Sequence, residues 1–171
     1  MFKPSVLINK FSRRHFLGAA AAASLSSPLG ALASTPREYE RWLSFRHIHT
    51  GQRIKSLYWA DGEYIPESLG EIDTILADFR SSDVHPIDVD LLNLLHRLQR
   101  TLDTDAAFHV ISGYRSPATN AHLLAQGRGI RKNSLHMRGK AIDVRFPGRD
   151  TGALWHAAIS ERRGGTGFYP Q

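Results

Sequence analysis

His136 and Asp143 stand seven residues apart in Ser134-Leu135-His136-Met137-Arg138-Gly139-Lys140-Ala141-Ile142-Asp143, across a glycine and into an apolar run. Neutral imidazole and carboxylate are both good zinc ligands, and a catalytic zinc takes three protein ligands plus a water. The pair therefore reads as two-thirds of a metal site. The same spacing also fits an ordinary surface histidine and a strand-end aspartate, so spacing alone does not decide. Ile142-Asp143-Val144 favours the functional reading, because a carboxylate held between β-branched residues needs a cation or hydrogen bonds. Upstream, Ser112-Gly113-Tyr114-Arg115-Ser116-Pro117 carries an arginine in a polar turn. The chain has no cysteine, which excludes thiolate zinc sites and a cysteine nucleophile; any metal must sit on His, Asp or Glu.

The elements that would position these groups follow from periodicity. Leu43 to His49 and Arg53 to Trp59 read as strands joined by Thr50-Gly51-Gln52, a hairpin-like turn. Pro66 to Arg80 places Leu69, Ile72, Ile75, Leu76 and Phe79 on one face, the pattern of an amphipathic helix. Asp88 to Leu102 repeats it, with Asp88 as N-cap. Phe108 to Ser112 and Lys140 to Phe146 read as core strands, the first leading to Arg115 and the second carrying Asp143. Ala118 to Gln126 and Thr151 to Glu161 read as helices, and Gly167-Phe168-Tyr169 as the start of a strand. Strands and helices segregate rather than alternate, so the fold class is α+β: a small antiparallel sheet carrying the metal site, with helices packed on one side.

Residues 1–33 read as an export signal and 34–171 as one domain. Lys3, Lys10, Arg13 and Arg14 precede an apolar, small-residue stretch from Phe16 to Leu32, and Ala31-Leu32-Ala33 is an A-x-A cleavage pattern. Ser12-Arg13-Arg14-His15-Phe16-Leu17 has the paired arginines of a twin-arginine signal, which implies the twin-arginine machinery as partner and a periplasmic destination. Phe16 to Leu32 is broken by serines, Pro28 and Gly30. It falls short of the roughly 20 apolar residues that a span needs, so no stable membrane span is expected after cleavage at Ala33.

Four of the 22 basic residues lie within that signal, so cleavage leaves 18 against 16 acidic ones, a net of +2. Nucleic acid would require a basic stripe and is not an expected partner. Arg128, Arg131, Lys132, Arg138 and Lys140 do cluster around the motif, which suits either a solvated face or an anionic substrate whose carboxylates an arginine can hold.

The run from Ser112 to Asp143 closely resembles the murein endopeptidase K-like branch of the D-Ala-D-Ala carboxypeptidase/VanX-like zinc peptidases. The likeness continues through Leu43-Ser44-Phe45, His47 to Gly51, Tyr58-Trp59, Asp61 to Tyr64, Asp78-Phe79-Arg80 to Asp88 and Gly164 to Pro170. The resemblance implies a hedgehog/D-Ala-D-Ala peptidase-like fold and a zinc-dependent metallopeptidase, of murein endopeptidase or D,D-carboxypeptidase type, that hydrolyses cell-wall cross-link peptides. It implies His136 and Asp143 as zinc ligands and Arg115 as the group that polarises the scissile carbonyl. Ser134, Tyr114 and Asn120 become candidate substrate contacts; Tyr114 also reads as a packing residue and Asn120 equally as a hydrogen-bonder at a helix start.

The family's third ligand is a histidine a few residues beyond the segment matching Gly167-Phe168-Tyr169-Pro170, and the His-x-Asp expected there is absent. The expectation is therefore a C-terminally truncated domain lacking its last strand segment. The rival reading is a non-catalytic or degenerate cell-wall peptide-binding domain. The other histidines, His47, His49, His109, His122 and His156, read as packed or surface residues; His109 comes nearest to a substitute ligand, because its strand should neighbour that of Asp143.

Overall fold

Residues 39–169 are described by the computed structural model, and they fall within one unit, Pro36–Gln171. The export signal read at 1–33, with Arg13, Arg14 and Ala33, lies outside the described residues, as does Pro170. The elements run β1 (Glu40–His47), β2 (Arg53–Ala60), β3 (Glu63–Tyr64), α1 (Pro66–Ile75), α2 (Val89–Thr101), β4 (Phe108–Ser112), α3 (Pro117–Ala125), a short 3₁₀ helix (Leu135–Arg138), β5 (Asp143–Arg145) and α4 (Thr151–Ser160). The α+β reading agrees with this order.

The five strands form one sheet in the order β3-β2-β1-β4-β5. It is mixed, where an antiparallel sheet was expected. β1–β2, β2–β3 and β4–β5 are antiparallel, but β4 runs parallel to β1, pairing Phe45 with Phe108 and His47 with Val110. The physical reason lies in the connection. After β3 the chain crosses the sheet through α1 and α2 before β4 begins, and a helical crossover of that length is what a parallel pair requires.

Period-2 alternation then divides the two faces. Leu43, Phe45 and His47 of β1, Ser56 and Tyr58 of β2, and Phe108, Val110 and Ser112 of β4 are buried. They meet Ile72, Ile75 and Leu76 from α1 and its end, Leu92, Leu95 and Leu98 from α2, and Leu154 and Ala157 from α4, in one hydrophobic core. Helices therefore pack on one side, and Trp42, Arg46, Arg53, Lys55 and Arg145 are exposed on the other.

Two elements are shorter than their patterns predict. α1 stops at Ile75 rather than Arg80 because the Leu76 carbonyl accepts the Tyr114 N–H at 2.7 Å and is lost to a helical partner. Asp78 and Asp83 then close a loop, with Ser82 N–H bonded to the Asp78 carbonyl. Phe79, assigned by periodicity to the apolar helix face, instead stacks on the His49 ring at 4.2 Å. β5 is only three residues long, since Gly139 turns the chain (φ +63°) and pairing begins at Asp143. No strand forms at Gly167-Phe168-Tyr169. Phe168 and Tyr169 are exposed, and Phe168 lies 5.4 Å from the Trp155 ring. The sequence pattern did capture β4 in full and the Asp88 cap, whose side chain accepts the Asp90 N–H at 2.8 Å.

Gly139 has a second constraint. A Cβ there would strike the Pro86 carbonyl oxygen and lie 3.1 Å from Ile87 Cα. Gly139→Ala combines left-handed strain of about 1 kcal/mol with overpacking of about 1–3 kcal/mol. Urea unfolding should show a loss of about 2–4 kcal/mol; a loss under about 0.5 kcal/mol would mean that the neighbouring backbone gives way freely.

Candidate active site

The site is assembled where β4 runs out into the turn Gly113–Ser116 and meets the 3₁₀ helix. Ser134 starts that helix: its side-chain oxygen accepts the His136 N–H at 3.3 Å, and the residue is 8% exposed. Its observed work is therefore to cap, an ordinary use of serine at such a position. Gly139 closes the helix and sends the chain to Asp143.

His136 is fixed twice. Its Nδ1 lies 2.8 Å from the Gly113 carbonyl, and its own carbonyl accepts the Arg115 N–H at 3.2 Å. A carbonyl can only accept, so Nδ1 carries a proton, and in the neutral ring the lone pair is therefore on Nε2. Nε2 lies 3.6 Å from Asp143 Oδ2. Asp143 reaches this place because β5 pairs antiparallel with β4, setting Asp143 opposite Ser112. The Asp143 side chain remains 35% exposed and that of His136 13%, so the pair opens to solvent at the sheet end.

Arg115 is buried beside the pair. One guanidinium nitrogen donates to Asn120 Oδ1 at 3.5 Å, while Nε has no hydrogen-bond partner among the described residues. Burial lowers its pKa and nearby Asp143 works against that, with Arg80 pushing down and Asp78 pushing up. Arginine stays charged under such shifts, so a buried cation lies beside the His136–Asp143 pair, close enough for Asp143 to act on it. Asn120 spends its amide inside the protein: Oδ1 on Arg115, and Nδ2 on the Arg131 and Lys132 carbonyls, both at 3.3 Å. Tyr114 packs, its ring stacked on His85 at 4.7 Å and its phenol pushed up by burial.

One residue that spacing did not single out organises the whole turn. Asp78 is 1% exposed, accepts the Ser116 N–H at 2.9 Å on Oδ2 and the Arg80 N–H at 3.0 Å on Oδ1. Its partners lie on separate segments, so no local pattern announces it; the likeness running through Asp78-Phe79-Arg80 was the available signal. Gly113 is equally constrained, because a Cβ there would run into the Leu76 carbonyl. That close approach lets the turn dock on the end of α1.

The substitute-ligand reading of His109 finds no support in its surroundings. His109 pairs with Arg46 on one side and Arg145 on the other. Burial and the charges of Arg46, Arg145 and Arg53 hold its pKa down, a setting that opposes another cation. Among the described residues no cluster of three His, Asp or Glu side chains forms a metal-binding group.

A family model described as peptidoglycan L,D-endopeptidase MepK matches residues 35–171. The peptidoglycan L,D-endopeptidase MepK of Escherichia coli K12 is 39% identical over 150 residues, covering 88% of this chain and 81% of that protein. The Shigella flexneri protein of the same name gives the same identity and coverage. The probable peptidoglycan L,D-endopeptidase MepK of Haemophilus influenzae is 39% identical over 141 residues, covering 82% of this chain and 75% of that protein. No solved structure matches. With its resemblance, its α+β fold and these matches in agreement, the chain belongs to the peptidoglycan L,D-endopeptidase MepK family of peptidases.

Proposed function

We propose that this chain is a zinc-dependent cell-wall peptidase that hydrolyses the cross-link peptides of peptidoglycan, with the L,D specificity in its relatives' name. The observation that carries the proposal is the preset pair: His136 Nε2 free by tautomer, 3.6 Å from Asp143 Oδ2, with buried Arg115 beside them. Two tetrahedral ligands of one zinc, at bond lengths near 2.1 Å, keep their donor atoms about 3.4 Å apart. The pair fits two of the three protein donors such an ion takes. When bound there, the metal supplies Lewis acidity and a water of lowered pKa.

The chain's own residues supply the rest. The Gly113 carbonyl holds the imidazole proton on Nδ1 and so orients Nε2, as outer hydrogen bonds do for metal-bound histidines. Arg115 presents its guanidinium to the oxygen of the scissile carbonyl as negative charge develops there, in a partly desolvated place where such donors act most strongly. A binding-only reading has one observation in its favour, the lack of a three-donor cluster among the described residues.

Zinc titration of the purified chain, paired with analysis of the products released from murein, separates these readings. The expected result is one zinc per chain, lost in His136→Ala and in Asp143→Ala, with cleavage at L,D cross-links. Absence of zinc binding above the micromolar background would remove the metal from the proposal. Zinc bound without product release would favour the binding domain, and release of terminal D-alanine alone would point to D,D-carboxypeptidase action. Twin-arginine export belongs to the same proposal: the zinc-loaded chain is expected in periplasmic extracts, and Arg13→Lys with Arg14→Lys should leave it in the cytoplasm.

A further inference from the structure

The sheet face opposite the core carries a row of basic residues that the site does not use. Arg53 of β2 pairs directly with Arg46 of β1, Arg46 with His109 of β4, and His109 with Arg145 of β5. Adjacent strands lie about 4.8 Å apart, so the row crosses about 14 Å of sheet. Arg46, Arg53 and Arg145 are exposed, and among the described residues none of the three is paired with an acid. Lys55, two residues on from Arg53 and so on the same face, extends the patch, its ammonium 5.4 Å from the Trp42 ring.

Directly opposed like charges destabilise a sheet, and among the described residues no ion pair offsets them. His109 does not add to the repulsion: burial, then Arg46, Arg145 and Arg53, favour its neutral form. Three arginines therefore carry the charge, each with a planar fork suited to carboxylates. The row is also continuous with the candidate site. Arg145 lies two residues beyond Asp143 on the short strand β5, so that strand joins the row to the candidate site. Peptidoglycan is a polymer with free carboxylates repeated along its stem peptides.

We propose that Arg145, Arg46 and Arg53, flanked by Lys55, form an exosite that holds the free carboxylates of the peptidoglycan network beside the cross-link at the active site. The assignment of the occupant rests on the cell-wall peptidase reading; the basic row itself does not. It adds to that reading a second, purely electrostatic point of attachment to an insoluble substrate, one that salt should weaken.

The test is co-sedimentation with purified, insoluble murein sacculi, with a chelator present so that retention is read apart from cleavage. Arg46→Gln combined with Arg53→Gln should lower retention roughly tenfold at low salt, with an unchanged or raised thermal midpoint because opposed charges are gone. Wild-type retention should fall to the level of the variant in about 0.5 M salt, and on sacculi whose carboxylates have been amidated. Equal retention of both proteins, or no retention of either, overturns the proposal. So does a loss seen only on phosphatidylglycerol vesicles or on duplex DNA, which would assign the row to lipid or nucleic acid. Failure of the wild-type chain to release products from murein would sink the peptidase reading and leave the retention result standing.

Discussion

Arg115→Ala is expected to lower kcat for cross-link hydrolysis about 10²–10³-fold, the loss typical of removing one donor from a developing oxyanion. The residue is 8% exposed, its backbone N–H is bonded to the His136 carbonyl, and its Nε has no partner among the described residues. A buried cation with an idle donor has a structural cost, and stabilisation of charge in the transition state is the return that would justify it. KM should move little, because the interaction strengthens only as the carbonyl oxygen becomes negative. Arg115→Lys should recover part of the rate, keeping the charge and losing the planar fork. Steady-state kinetics on a soluble cross-linked muropeptide checks this. An alanine variant with wild-type kcat would show that Arg115 serves only to hold Asn120 and the turn.

Asp78→Ala should cause the largest loss of stability of any single substitution near the site. It leaves the N–H groups of Arg80 and Ser116 without their acceptor, the second of them buried, and each orphan shielded from water costs about 1–3 kcal/mol. Together that is about 2–6 kcal/mol in urea unfolding. Activity should fall with it, since Ser116 is the neighbour of Arg115 and would no longer be tied to the end of α1. The carboxylate also predicts a pH dependence. Burial would raise its pKa, but hydrogen bonds from Thr119, Ser116 and Arg80 outweigh burial and hold it below the ordinary 3.8. A group whose folded pKa is lowered contributes in full above its unfolded value and loses that contribution as pH falls through the folded one. Wild type should therefore lose stability more steeply than Asp78→Asn below about pH 4, the two curves converging in acid. Parallel curves down to about pH 2 would show that Asp78 does not titrate with folding.

Local signals made much of this fold readable. β4 alternates so regularly that Phe108 to Ser112 was delimited from sequence, and α2 announced its start through Asp88. His136 and Asp143 were close enough in sequence to be suspected together. Other features depend on partners that no window contains. The end of α1 is set by Tyr114, 38 residues after Leu76, and periodicity alone carried the helix on to Arg80. The parallel pairing of β1 with β4 follows from where two helices deliver the chain. Asn120 illustrates the same limit: its residue type left open a substrate contact or a hydrogen bond at a helix start, and its bonds to Arg115, Arg131 and Lys132 are visible only in the fold.

The double attachment of His136 to the Gly113–Arg115 turn means that these two segments, 23 residues apart at Gly113 and His136, cannot separate one at a time. The ring is tethered at one end of the turn and the main chain at the other, so any pull on Arg115 is shared at once by the imidazole. They are held as one unit. Peptide cross-links in a wall are stretched by the pressure within the cell, and an enzyme that grips them must bear that load. In the proposed reading, an arginine and a histidine tied together in this way keep their spacing while a stretched peptide is engaged.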